Sequence, residues 1–118
     1  RFPLACFEAL RKLPPGKVLN RFTLGGAISY FAGTGYKVFI DSRNDPFPQP
    51  IHDDYMRILW SEPGWEASLA RYDPDYLLWD QENPGNLLLD QLRLRGGWRE
   101  EARDGAYVLW VRDRPAQR

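Results

Sequence analysis

Three short runs of apolar residues, "KVLN" at 17–20, "KVFID" at 37–41 and "DYLLW" at 75–79, are separated by longer segments whose apolar side chains recur three and four apart. Runs of the first kind suit strands covered on both faces; the second spacing is that of an amphipathic helix. Strand, helix, strand in succession constrains the fold strongly. Parallel neighbours cannot be joined by a tight turn, so the intervening helix crosses over the sheet, and it does so right-handedly.

The helical segments can be placed from their punctuation. "PLACFEALRKL" opens at Pro3, puts Leu4, Phe7 and Leu10 on one face, and ends at Leu13 before Pro14, Pro15 and Gly16. In "TLGGAISYFAG" Thr23 is placed to cap a helix with Leu24, Ile28 and Phe31 inward, and the paired Gly25 and Gly26 suggest close backbone approach by a neighbour or a ligand. "IHDDYMRILW" aligns Ile51, Tyr55, Ile58 and Leu59. "SEPGWEASLARY" follows as a short helix with Ser61 near its cap and Pro63 in its first turn, and "NPGNLLLDQLRLRGG" as one closed by Gly96 and Gly97. Asp104-Gly105 inside "WREEARDGAYVLWVRD" signals a β-hairpin. The order is α-β-α-β-α-α-β-α-β-β: an α/β fold of three-layer, Rossmann-like α/β/α type, whose mixed, mostly parallel five-stranded sheet ends in an antiparallel hairpin.

Composition narrows the function classes. The chain has 118 residues, room for one domain with one core. Sixteen basic residues balance sixteen acidic ones, so no overall field draws in nucleic acid. No stretch is long and apolar enough to span a bilayer, and no signal-peptide pattern opens the chain; starting at Arg1 without Met, it reads as a soluble piece of a larger protein. A lone Cys6 reads as a small core residue. Five Trp, six Tyr and six Phe exceed the needs of a small core, so some should be exposed; that suits a partner surface or membrane interface, but a two-layer core with partly open edges is the simpler account.

Ligands of open α/β sheets sit beyond the carboxyl ends of the parallel strands. That rule selects Asn20, then Asp41 and Arg43, then Asp80. Two residues apart, Asp41 and Arg43 can either grip a charged ligand or brace the loop "RNDPFPQP" as an ion pair. Asp41, Asp45, His52, Asp53 and Asp54 have metal-ligand chemistry but match no calcium loop, and acids at a helix start have a simpler role against the dipole. No metal or cofactor is expected. Gly33 and Gly35 in "AGTGYK" precede a strand rather than follow one, which excludes a dinucleotide fingerprint and leaves a turn. With one His and no triad, elbow or Walker motif, no catalytic residue is assigned. Glu100 and Glu101 fall on an expected edge strand, where charge guards against aggregation.

Taken in order, "PPGKVLNRF", "LGGAISYF", "KVFIDSRNDPF", "DDYMRIL", "PGWEASLARYDPDYLLW" and "WREEARDGAYVLWVRD" resemble the C-terminal soluble domain of bacterial polytopic membrane proteins described as glycosyltransferase-like. The likeness covers nearly the whole chain. It departs at Ala27, where an aromatic is usual, and at Ser42 and Phe47, where Gly and Tyr are common. It implies binding roles for Asn20, Gly25, Gly26, Asp41, Arg43 and Asp45, an extracytoplasmic place in the cell envelope, and the chain's own transmembrane portion as partner. The expected function is a non-catalytic accessory domain that positions a glycan or lipid-linked sugar, with Trp60, Trp65 or Trp79 stacking on sugar rings. A nucleotide- or small-molecule-binding enzyme domain and a purely structural interaction module are the rivals.

Overall fold

The computed structural model describes residues 2–33, 35–41 and 48–114. Along the chain run α1 (Leu4–Arg11), β1 (Gly16–Asn20), a 3-10 turn (Phe22–Leu24), α2 (Gly25–Ala32), β2 (Tyr36–Val38), α3 (Gln49–Leu59), α4 (Trp65–Tyr72), β3 (Tyr76–Asp80), α5 (Gly85–Arg95), β4 (Trp98–Asp104) and β5 (Tyr107–Arg112). The five strands form one mixed sheet in the order β2-β1-β3-β5-β4. As the crossovers require, β1 pairs in parallel with both β2 and β3, with Val18 opposite Val38 on one side and Tyr76 on the other. The pairings of β3 with β5 and of β5 with β4 are antiparallel. Two of the four strand pairings are therefore parallel and two antiparallel, so the sheet is mixed rather than mostly parallel.

Alternation along the strands sorts the core into two clusters on opposite sides of the sheet. Val18, Leu78 and Leu109 pack with Phe7 and Leu10 of α1 and Ile28 of α2. Leu19, Leu77, Trp79, Val108 and Trp110 pack with apolar side chains of α3, α4 and α5. This explains why "YLLW" is apolar without interruption: both faces of β3 are covered.

Several local expectations shift for identifiable reasons. Thr23 does not cap α2, because a 3-10 turn precedes the helix and no side chain caps it. Ser61 caps nothing either: α4 begins after Gly64, whose φ of 92° makes the sharp entry, and the buried Ser61 hydroxyl has no partner among the described residues. Asp53 and Asp54 lie beyond the first turn of α3, since that helix starts earlier, at Gln49. Leu4, expected inward on α1, is exposed. The hairpin forms as read, with Asp104 opposite Tyr107 and Gly105-Ala106 between them. β4 is an outer strand of the sheet and carries Glu100 and Glu101 exposed.

Candidate functional site

The three parallel strands bring their carboxyl ends together, and the side chain of Asn20 occupies the centre. It is completely buried. Its Nδ2 donates to the carbonyls of Ile40, at 2.8 Å, and Arg21, at 2.9 Å. Its Oδ1 accepts from the backbone N–H of Phe39, at 2.9 Å, and of Ile40, at 3.3 Å. An amide supplies two donors and two acceptor positions; here all four are spent on the chain's own backbone. The Phe39 N–H is shared with the Val18 carbonyl at 2.9 Å, so β2 passes from ladder pairing to side-chain clasping at this residue. That handover is why the regular strand stops at Val38 and not at Asp41.

Gly25 belongs to the same arrangement. A Cβ built there would stand 2.2 Å from the Ile40 carbonyl oxygen and 2.8 Å from Asp41 Cα, so only glycine lets the start of α2 touch the backbone leaving β2. The paired glycines thus part company. Gly25 meets the chain, whereas Gly26 lines a shallow apolar surface with Phe2, Ala27, Tyr30 and Phe31. Of the residues selected from sequence, Asn20, Gly25 and Asp41 come together around Ile40; Arg43 and Asp45 lie outside the described residues.

Beside this clasp sits a polar cluster that the sequence indicated only through Asp80. Arg21 Nη1 pairs with Asp80 Oδ1 at 2.8 Å, and both side chains are largely buried. Arg21 Nε donates to the Tyr55 hydroxyl at 3.1 Å, which also accepts from the Phe22 N–H at 3.0 Å, and the guanidinium lies over Trp79 at 5.6 Å. Burial pushes the Asp80 carboxyl above its usual range despite the opposing pull of Arg21. Burial likewise raises the Tyr107 hydroxyl, which shares a hydrogen bond with Thr23. Gly85 is closed off as well, because a Cβ there would fall 2.1 Å from Asp80 Oδ1. A basic residue directly after a strand end, as Arg21 follows Asn20, was the available signal for this pairing.

A cleft of about 420 Å³ opens next to the clasp, lined by Lys37, Phe39, Asp41, Pro48, Ile51 and Tyr72 among others. Phe39 meets Tyr72 edge-on at 4.7 Å. The Tyr72 hydroxyl donates to backbone oxygen, with the Lys37 carbonyl at 2.8 Å, and burial drives its pKa well above the ordinary phenol value. Of the acids considered for a metal, Asp53 and Asp54 have other duties. Asp54 Oδ1 takes Arg57 at 2.9 Å, Arg71 at 2.8 Å and the Ser68 hydroxyl at 3.0 Å, while Asp53 accepts from Gln49 at 2.8 Å. Among the described residues no group of three His, Cys, Asp or Glu side chains is placed to hold a metal ion.

The aromatic surplus divides differently from expectation. Trp65 and Trp79 are buried, Trp79 with its indole N–H donated to the Gly85 carbonyl at 3.0 Å, and only Trp60 of the three is exposed. Leu94 of α5, 83% exposed, and Trp60 stand apart, whereas Tyr30, 81% exposed, Leu4, 52%, and Phe2, 47%, lie on the α1–α2 side next to a partly exposed Phe31. Phe31 stacks on Phe7 at 5.4 Å and meets Tyr30 edge-on at 4.8 Å, so the patch is rooted in the core. Among the described residues no helix is long and apolar enough to cross a membrane. Comparison with protein-family models, curated proteins and solved structures gives no match. The likeness to polytopic envelope proteins therefore rests on the sequence motifs alone.

Proposed function

We propose that this chain is a non-catalytic accessory domain of a multi-spanning envelope protein, lying on the extracytoplasmic side against its own transmembrane portion and positioning a glycan or lipid-linked sugar. The observation that carries this reading is the rooted aromatic patch. Phe2, Tyr30 and Phe31, with Leu4 exposed on α1 close to Phe2 in sequence, present a surface that is apolar underneath and carries a phenol at its rim, the composition favoured where protein meets the headgroup layer. The clasp at the sheet end supports the non-catalytic part, because Asn20 spends its amide on Arg21, Phe39 and Ile40. A three-layer, Rossmann-like description fits the same picture, with helices packed on both sheet faces.

The test is flotation of the chain with phosphatidylcholine and phosphatidylglycerol vesicles. Wild type floats with the vesicles, and the Leu4→Ser/Tyr30→Ser variant stays behind while keeping its melting temperature, since both side chains are more than half exposed. Fully burying an apolar side chain is worth about 1.5–3 kcal/mol, and Leu4 and Tyr30 each have part of that left to gain, so losing both should weaken binding about tenfold or more. Equal flotation of the two proteins, or none by wild type on either lipid, would reject the reading. The cleft beside Asp41 favours a second reading, a small-molecule or nucleotide-binding domain. A concentration-dependent rise in melting temperature with a nucleotide would select it.

A further inference from the structure

The sheet face that carries α3, α4 and α5 holds two hollows that meet at Leu92, Gly96 and Trp98. One, of about 350 Å³, lies between α4, the end of α5 and the start of β4. The other, of about 270 Å³, continues over β4 to Trp110. Together they have the size of a small-ligand site. The groove follows from topology: β4 is the outermost strand, and α5, the last helix, packs over its inner neighbours.

Its lining is distinctive. Three indoles each carry a guanidinium: Arg95 lies 4.9 Å over Trp65, Arg112 5.1 Å over Trp98 and Arg93 5.2 Å over Trp110. Stacking holds a guanidinium flat and leaves its N–H edge free to meet a planar anion. The acidic partners of these arginines are exchangeable. Arg95 pairs with Glu66 at 2.6 Å and Arg93 with Asp90 at 3.1 Å, all four side chains being about half exposed, where such pairs contribute little. Trp110 is buried, yet its indole N–H has no acceptor among the described residues. Buried donors are nearly always satisfied, and the group above this one, Arg93, is also a donor. Glu100, opposite Trp110 in the hairpin register, gives its carboxylate to Arg103 at 2.7 Å and leaves the indole N–H unpaired. Three guanidiniums and two carboxylates, Glu66 and Glu100, line the groove, and Arg93 and Arg112 also pair with Asp90 and Asp73, so little positive charge is left for a phosphate dianion and a singly charged ligand suits the groove better.

We propose that this groove binds a small carboxylate ligand. One carboxylate oxygen accepts from the Arg93 guanidinium and from the Trp110 indole N–H, which becomes reachable as the half-exposed Arg93 follows the anion outward. The ligand's apolar body lies along Trp98. The site is on the opposite sheet face from Phe2 and Tyr30, so it is independent of vesicle binding, and either can fail without the other.

The experiment follows the tryptophan indole N–H resonances of ¹⁵N-labelled chain by NMR during titration with glucuronate and with benzoate, against their neutral counterparts glucose and benzyl alcohol, and with inorganic phosphate. A saturable shift of the Trp110 indole resonance with at least one acid, absent with its neutral counterpart, is the expected result, and which acid gives it tells an acidic sugar from an aromatic acid. Arg93→Gln should weaken that binding about tenfold or more, the usual effect of losing a charge-assisted hydrogen bond, with an unchanged melting temperature. Trp110→Phe, which keeps a ring beneath Arg93 but no N–H, should weaken it several-fold; if that variant fails to fold, Arg93→Gln decides alone. The proposal is overturned if neither acid shifts the resonance at millimolar concentration, if the neutral counterparts shift it equally, if phosphate binds more tightly than both acids, or if Arg93→Gln binds as wild type does.

Discussion

Replacing Asn20 by alanine removes four hydrogen bonds at one stroke, but their losses are unequal. The Phe39 N–H keeps the Val18 carbonyl, and the Arg21 carbonyl keeps the Leu24 N–H at 3.0 Å. The N–H and C=O of Ile40 lose their Asn20 partner, at a residue that is itself buried. An unsatisfied buried polar group costs about 1–3 kcal/mol, so two of them, partly relieved by water, predict a loss of about 3 kcal/mol. That is a large share of the roughly 5–15 kcal/mol by which a domain of this size is stable. Urea unfolding should show the loss as a lower midpoint at unchanged slope, and hydrogen exchange should show the Ile40 amide deprotected more than those of β3. Asn20→Asp sharpens the test: at neutral pH a carboxylate oxygen would face the Ile40 and Arg21 carbonyls, so this variant should be less stable than Asn20→Ala. It should recover on acidification, because the folded state favours the protonated acid and that contribution disappears as pH rises through its folded pKa. A loss below about 1 kcal/mol for Asn20→Ala with the Ile40 amide still protected would show that the side chain is not the clasp described.

Two further outcomes follow from the packing around this end of the sheet and beneath α1. Gly25→Ala should lower stability by about 1–3 kcal/mol, because the new methyl meets the rigid Ile40 carbonyl at 2.2 Å and a helix-propensity gain of at most about 1 kcal/mol cannot offset that; a melting temperature at or above wild type would contradict the close approach. Burial, reinforced by Asp104 and then Glu100, pushes the Cys6 thiol up from 9.0 to about 11. The folded state therefore holds this proton more tightly than the unfolded chain, and the resulting stability, up to about 3 kcal/mol, is fully present below pH 9 and lost as pH climbs through 11. Alkaline unfolding of Cys6→Ala should be shallower over that interval, and wild-type Cys6 should react with a thiol reagent at pH 8 only upon unfolding; ready reaction of the folded protein would refute this.

The elements that could be read in the sequence are those whose signal is local. "KVLN" and "DYLLW" appear as β1 and β3 because uninterrupted apolar residues suit a strand covered on both sides, and Asp104-Gly105 marks the hairpin because a tight turn needs few residues. The neighbourhood of Asn20, Gly25 and Asp41 could be read as well, since three strands joined by crossovers must share a direction. The end of β2 could not, because it is set by a side chain 19 residues away. Nor could the fates of the tryptophans: Trp65 and Trp79 are buried because α4, α5 and the sheet close over them, which composition does not encode. Arg21 and Asp80 are 59 positions apart and become a pair only when β1 and β3 are adjacent.

By itself the sequence determined the element types, the shared direction of the first three strands and the charge balance, because periodicity, turn chemistry and ionisable residues act over a few positions or by simple count. Which polar groups are consumed inside the fold and which face outward was decided only by tertiary packing. Asn20 has the chemistry of a ligand-binding amide, yet Ile40 arrives first; Trp110 has an ordinary indole, yet Glu100 opposite it is taken by Arg103. Hydrogen bonds have a reach of about 3 Å, so such outcomes depend on distances that no linear spacing specifies.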